Sequence, residues 1–231
     1  MRNLILLFLL SVVSATAQQG VKRNPYQLEI VDNPVVFHQM AAHDSKMLMI
    51  DLQAYIPNLV LDIRYATTNN FTGEIIYPQA SAFARQPVAE ALLNIQKDLA
   101  EKGLGLKIFD AYRPYAATLR FYEVYPDTNF VASPWHGSRH NRGAAVDVTL
   151  INLETGKALE MPTAFDDFTE KAAPDYQDLP ERVKQNRSLL IETMENNGFS
   201  VYQSEWWHFD FNGWEQFPLM NLSFDELRSQ Y

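Results

Sequence analysis

The sequence predicts an α+β fold, a small antiparallel sheet flanked by helices. Three observations carry that expectation. Apolar and polar residues alternate at period two in several short runs, as half-buried strands require. Two longer stretches place apolar residues at helical spacing and end at a glycine. The runs follow no regular strand-helix alternation, no internal repeat is visible, and 231 residues suffice for one sizeable core.

From the N-terminus, Met1-Arg2, the apolar run Leu4 to Val13 and Ala15-Thr16-Ala17 read as the charged, hydrophobic and cleavage regions of a signal peptide over residues 1–17. About ten apolar residues are too few for a membrane span, which needs roughly 20. The remainder, 18–231, is expected to be one domain, beginning with an irregular polar arm over about 18–45 that carries Pro25 and Pro34. Leu59 to Tyr65 alternates and reads as a strand, and Thr67 to Gly73 as a loop. Pro87 opens a helix with Val88, Leu92, Ile95 and Leu99 on its inner stripe and Gly103 as its stop. Leu106 to Ala111 is a strand that ends at Tyr112-Arg113-Pro114, where proline redirects the chain into a short helix near Tyr115. Ala144 to Leu150 alternates again, with Ala145, Asp147 and Thr149 on its polar face. A helix from about Pro180 to Asn197 turns Val183, Leu190, Ile191 and Met194 inward, with Gly198 as cap. Trp207, Phe209 and Phe211 alternate with His208 and Asp210 in a last strand, and each of these two late strands is expected to bury one face and expose the other.

Composition narrows the function classes. The net charge is −9, and removing Arg2 with the leader would leave 18 basic against 28 acidic residues, which disfavours nucleic acid and anionic membrane as partners. The leader implies export, with a bacterial periplasm the best-fitting compartment and no membrane insertion once it is removed. With no cysteine, disulfides are excluded and any metal must be held by His, Asp or Glu. No feature of the chain assigns an oligomeric state.

Ser138-Arg139-His140-Asn141-Arg142-Gly143-Ala144-Ala145-Val146-Asp147 and the later Glu205-Trp206-Trp207-His208 supply that set. His140, Asp147 and His208 can hold a divalent zinc and leave a position for water, while Glu205 remains to take the water's proton. Gly143 permits the positive φ of a tight turn that folds His140 back over Asp147. Glu205 and His208 are three apart, so an unbroken strand would point them to opposite faces, and a turn or bulge is expected near Ser204–Trp206. Trp207, in phase with Phe209, is expected in the core and Trp206 at the cleft. His38, His43 and His136 lack such company and read as structural. Arg113, at a strand end, suits either a developing oxyanion or an ordinary ion pair. Two other classes compete: an Fe(II) oxygenase, whose first His and acid are usually separated by a single residue rather than six, and a metal-stabilised binding module.

The two segments closely resemble the zinc D-alanyl-D-alanine dipeptidases, the VanX-like family, whose pattern Ser-x-His-x-x-Gly-x-Ala-x-Asp and Glu-x-x-His is met by Ser138, His140, Gly143, Ala145, Asp147, Glu205 and His208. Arg64 to Thr67, Asn70 to Gly73, Asp110 to Pro114, Phe165-Asp166 and Met194 to Phe199 extend the resemblance over about 52–212. It implies one zinc per chain on His140, Asp147 and His208, Glu205 as catalytic base and Arg113 as transition-state stabiliser. It further implies that Ser138 and Asp166 bind the ammonium of a dipeptide substrate, with Tyr65 shaping the pocket. The expected reaction is hydrolysis of D-Ala-D-Ala in cell-wall recycling, with a D,D-carboxypeptidase or endopeptidase acting on peptidoglycan stems as the alternative.

Overall fold

A computed structural model describes residues 24–229. The expected signal peptide, 1–17, lies outside the described residues. In chain order the elements are β1 (Ile30–Val31), α1 (Pro34–His43), β2 (Met49–Asp51), α2 (Leu52–Tyr55), β3 (Val60–Leu61), β4 (Phe83–Arg85), α3 (Gln86–Ala100), β5 (Leu104–Asp110), α4 (Tyr115–Val124), β6 (Ala145–Asn152), α5 (Glu181–Glu195), β7 (Phe199–Tyr202), β8 (Glu205–Phe211), β9 (Leu219–Met220) and α6 (Phe224–Arg228).

The expected α+β architecture is present. A five-stranded sheet runs β3-β5-β6-β8-β7, and two-stranded pairs join β1 to β9 and β2 to β4. Helices α3 and α5 pack against the large sheet. On α3 the stripe Val88, Leu92, Ile95 and Leu99 is wholly buried, and on α5 Val183, Leu190 and Met194 are buried. At about 25 cal/mol per Å² of apolar surface removed from water, such stripes are the main reason the helices dock. Gly103 (φ +70°) and Gly198 (φ +85°) stand just past the two helix ends, where the left-handed conformation spares glycine a Cβ clash.

Four expectations need correction. The sheet is mixed, because edge strand β3 runs parallel to β5 while β5, β6, β8 and β7 pair antiparallel. The strand expected over Leu59 to Tyr65 shortens to Val60–Leu61; the Ala66 and Thr67 amides then bond back to Ile63 and Arg64, and this 3-10 turn rolls Tyr65 into the interior. The arm expected to be irregular contains α1, begun by Asn33, whose side chain accepts the Val35 amide, and by Pro34 at the first turn. It also contains β1, which is ordered by a partner almost 190 residues away, Leu219 against Ile30. Finally, β6 is buried on both faces, Asp147 and Thr149 on the polar face each being 2% exposed.

Candidate metal centre

Sheet register builds the centre. Asp110 on β5 lies opposite Asp147 on β6, and Asp147 lies opposite His208 on β8, so one row across three neighbouring strands carries three ionisable side chains. A register shift between Ile108 and Asp110 brings Asp110 into that row. His140 arrives from outside the sheet, on a 3-10 turn over His140–Arg142 closed by Gly143 at φ +68°. The Gly143 amide donates to the His140 carbonyl at 3.0 Å, and the Gly143 carbonyl accepts the Arg85 amide at 2.9 Å. The turn thus folds His140 over Asp147, as its glycine led us to expect.

His140 Nε2, His208 Nδ1 and Asp147 Oδ1 converge, at 3.1 Å between the imidazoles, 3.0 Å from His208 to Asp147 and 3.4 Å from His140 to Asp147. A tetrahedral zinc with bonds of about 2.0–2.1 Å spaces its donors by about 3.3–3.4 Å, so this triangle fits the ion closely. The remaining ring nitrogens are also engaged. His140 Nδ1 meets the Ala111 carbonyl at 2.7 Å, and His208 Nε2 meets Asp210 Oδ1 at 3.0 Å. Each contact fixes a ring orientation and leaves the converging nitrogen free to bind a metal. The centre is buried, with His140 at 1% and His208 at 8% exposure.

Glu205 Oε2 stands 3.8 Å from His208 Nδ1. The irregularity that strand parity demanded is present: Gln203-Ser204 form the turn, Tyr202 faces Glu205, and the next pair on β7 jumps to Val201 opposite Phe209. Trp206, Trp207 and His208 therefore have no facing partner on β7, and this excess length lets Glu205 and His208 share one side.

Arg113 is nearly buried, with Nε and Nη2 at 3.0 and 2.9 Å from Asp110 Oδ2 and Nη2 at 3.9 Å from Asp147 Oδ2. Asp110 also accepts the Tyr77 hydroxyl and the Ala111 amide, so the guanidinium is held rigidly against the row. Asp166 lies across the cavity at φ +61°; its Oδ1 accepts the Tyr65 hydroxyl at 3.0 Å, while its Oδ2 is buried without a hydrogen-bond partner. Ser138 Oγ accepts the His140 amide at 3.2 Å.

These surroundings set the protonation states. Burial opposes charge on Asp147, yet the two imidazoles hold its carboxyl below the usual range. Burial alone would lower His208, but hydrogen bonds to Asp147 and Asp210 push it up to about 10, so a cation binding there displaces a proton. Burial pushes the Glu205 carboxyl up to about 7, near the value that serves a base at neutral pH. Asp166 is raised well above the ordinary carboxyl value by burial and by Asp147, and Tyr65 stays a phenol that donates to it.

The eight residues anticipated from sequence, His140, Asp147, His208, Glu205, Arg113, Ser138, Asp166 and Tyr65, all line a single cavity of about 80 Å³. Asp167, the neighbour most easily confused with Asp166, does not, and His38, His43 and His136 lie outside the donor cluster. Of the two tryptophan expectations one holds: Trp207 is 1% exposed in the core, where it also backs the cavity, whereas Trp206 is not at the cleft but 2% exposed and donating its indole N–H to Thr163 Oγ1. Sequence reasoning missed Asp110, Tyr77 and Asp210. The Asp110–Arg113 spacing and the shared parity of His208 and Asp210 were visible signals for two of them.

The chain is similar to known proteins along most of its length. Residues 45–225 match the family described as D-ala-D-ala dipeptidase. A D-alanyl-D-alanine dipeptidase of Escherichia coli (strain K12) is 35% identical over 172 residues, 74% of this chain and 89% of the relative. The enzyme of that name from Enterococcus faecium is 32% identical over 168 residues, 64% of this chain and 83% of the relative. One from Streptomyces coelicolor (strain ATCC BAA-471 / A3(2) / M145) is 32% identical over 183 residues, 68% and 89% of the two chains.

Proposed function

The chain belongs to the D-Ala-D-Ala dipeptidase family of metallopeptidases, and from that membership we propose that it hydrolyses D-alanyl-D-alanine to D-alanine using one zinc ion per chain. The observation that carries the zinc reading is the donor triangle of His140, Asp147 and His208, with Glu205 beside it. Zinc held there would supply Lewis acidity and a water of lowered pKa. Glu205 takes the proton of the attacking water and returns it to the leaving amine. Arg113, fixed by Asp110, faces the negative charge that grows on the scissile carbonyl oxygen. The unpartnered Asp166 Oδ2 accepts from the substrate ammonium, with Ser138 and Tyr65 completing that end of the pocket. An acylated amine has lost the charge and keeps a single N–H donor, so a free dipeptide is preferred over longer peptides.

The leader-like residues 1–17 support export, with a periplasm as the compartment. Among the described residues no helix is long and apolar enough to cross a membrane. An exported enzyme meets wall-derived dipeptide rather than the cytoplasmic precursor pool, which favours recycling or scavenging.

The test is turnover of D-Ala-D-Ala, its N-acetyl derivative and a stem pentapeptide, with zinc measured in the same sample. Turnover of the free dipeptide alone, at one zinc per chain, is expected. Turnover of the pentapeptide at the same rate would move the assignment to a D,D-carboxypeptidase. Zinc-loaded Glu205→Ala is expected to keep the ion and lose about 10²–10⁴-fold in kcat; full activity would overturn the role of Glu205.

A further inference from the structure

The substrate proposed above is a zwitterion, and its two ends need opposite charges in the cavity. Asp166 serves the ammonium end. Two cationic side chains line the same cavity, Arg113 and Arg139. Arg113 is committed to Asp110 and stands on the Asp147 side of the donor triangle. Arg139 stands on the His208 side: it approaches Asp210, which holds His208 Nε2, and Tyr202, whose ring lies 5.3 Å from that of His208.

Arg139 is oriented but not satisfied. Its guanidinium carbon sits 5.0 Å from the centre of the Trp214 ring and 5.8 Å from that of Tyr202, so two aromatic faces hold its plane. Its one ion pair among the described residues, Nε to Asp210 Oδ2, is long at 3.6 Å, and Nε is buried with no hydrogen-bond partner. Arg85, by contrast, is fully buried and donates to the Met47 and Arg142 carbonyls. A guanidinium offers five donors in a planar fork that matches a carboxylate. Arg139 therefore keeps this fork unspent at the wall of the cavity, with its side chain still 39% exposed.

We infer that Arg139 binds the C-terminal carboxylate of the substrate and so selects peptides that end in a free acid. The inference rests on the peptidase reading of the site. With the ammonium at Asp166 and the scissile carbonyl at the donor triangle, the leaving residue extends past Glu205 and His208. Its carboxylate then meets the one cavity-lining cation on that side. Asp210 serves two purposes here, holding His208 with one oxygen and balancing Arg139 with the other.

The experiment compares kcat/KM for D-Ala-D-Ala and for its C-terminal amide in zinc-loaded wild type, Arg139→Gln and Arg139→Lys. Arg139→Gln is expected to lower the acid-to-amide ratio by about 10- to 100-fold, chiefly through KM, the range of a lost charge-assisted hydrogen bond. Arg139→Lys, which keeps the charge without the fork, is expected to restore part of it. A ratio that does not change overturns the inference. So does a parallel loss on both compounds accompanied by loss of zinc, which would assign Arg139 to supporting Asp210 and His208. Calorimetric binding of acid and amide to zinc-loaded Glu205→Gln, with and without Arg139→Gln, reads the same ratio without turnover. Failure of wild type to hydrolyse D-Ala-D-Ala thus counts against the dipeptidase reading, while the binding ratio still decides the role of Arg139.

Discussion

Replacing Gly143 with alanine tests whether one backbone conformation holds the metal centre together. Gly143 sits at φ +68°, where an L-residue pays about 1–2 kcal/mol. A Cβ there would lie 2.6 Å from Met49 Cε and 2.8 Å from Met49 Sδ, closer than carbon contacts allow. Met49 is fully buried, so its thioether cannot swing into solvent and must displace core neighbours, typically another 1–3 kcal/mol. The expected destabilisation is roughly 2–5 kcal/mol, a fall in Tm of about 4–20 °C for a chain of this size. Because the Gly143 amide closes the turn on the His140 carbonyl, zinc affinity measured by chelator competition should fall roughly 10-fold or more in the same variant. In a Met49→Ala background the clash is removed, and the cost of Gly143→Ala should shrink to about 1–2 kcal/mol. A cost below about 0.5 kcal/mol in the wild-type background, or zinc binding unaffected by an otherwise destabilising change, would refute the reasoning.

Two further outcomes follow from the surroundings of the donors. Asp210→Ala removes the acceptor that orients His208 and should weaken zinc binding by about 10- to 100-fold, with Asp210→Asn, which keeps an acceptor oxygen, losing less; chelator competition at fixed pH measures both. Asp166→Asn addresses a carboxyl whose folded pKa is raised by burial, so in the zinc-free protein the native state binds more protons than the unfolded state above the ordinary carboxyl pKa of about 3.9. That contribution is favourable below this pH and is lost as pH rises toward the raised value. Asp166→Asn should therefore be more stable than wild type at neutral pH, with the gap closing toward pH 4 in denaturant titrations, while its activity on the free dipeptide falls. Equal stabilities at pH 7 would contradict the burial of an unpartnered Oδ2.

Helices α3 and α5, the ends of β5 and β6 and the three side chains that converge as candidate metal donors were legible in the sequence because each depends on local relations. A 3.6-residue stripe, a period-two alternation and a glycine at a stop or turn report which face a segment must bury, whatever covers it. Even the kink between Glu205 and His208 was legible, since parity forbids both side chains from one face of an unbroken strand. The parallel edge strand β3, the pairing of β1 with β9 and the burial of both faces of β6 were not. Each depends on which distant segment arrives as a partner, and short elements such as β1 carry no periodicity of their own.

The same division runs through the centre. Sequence by itself determined the chemistry available: two imidazoles, one carboxylate, a spare base and no thiolate. Tertiary structure decided the alignment of Asp110, Asp147 and His208 in one row, the clamping of Arg113, and the placing of Arg139 on its aromatic shelf with donors to spare. The reason is physical. Side-chain type is a property of one residue, whereas distance, burial and unmet hydrogen-bonding capacity are properties of neighbours brought together only by the fold.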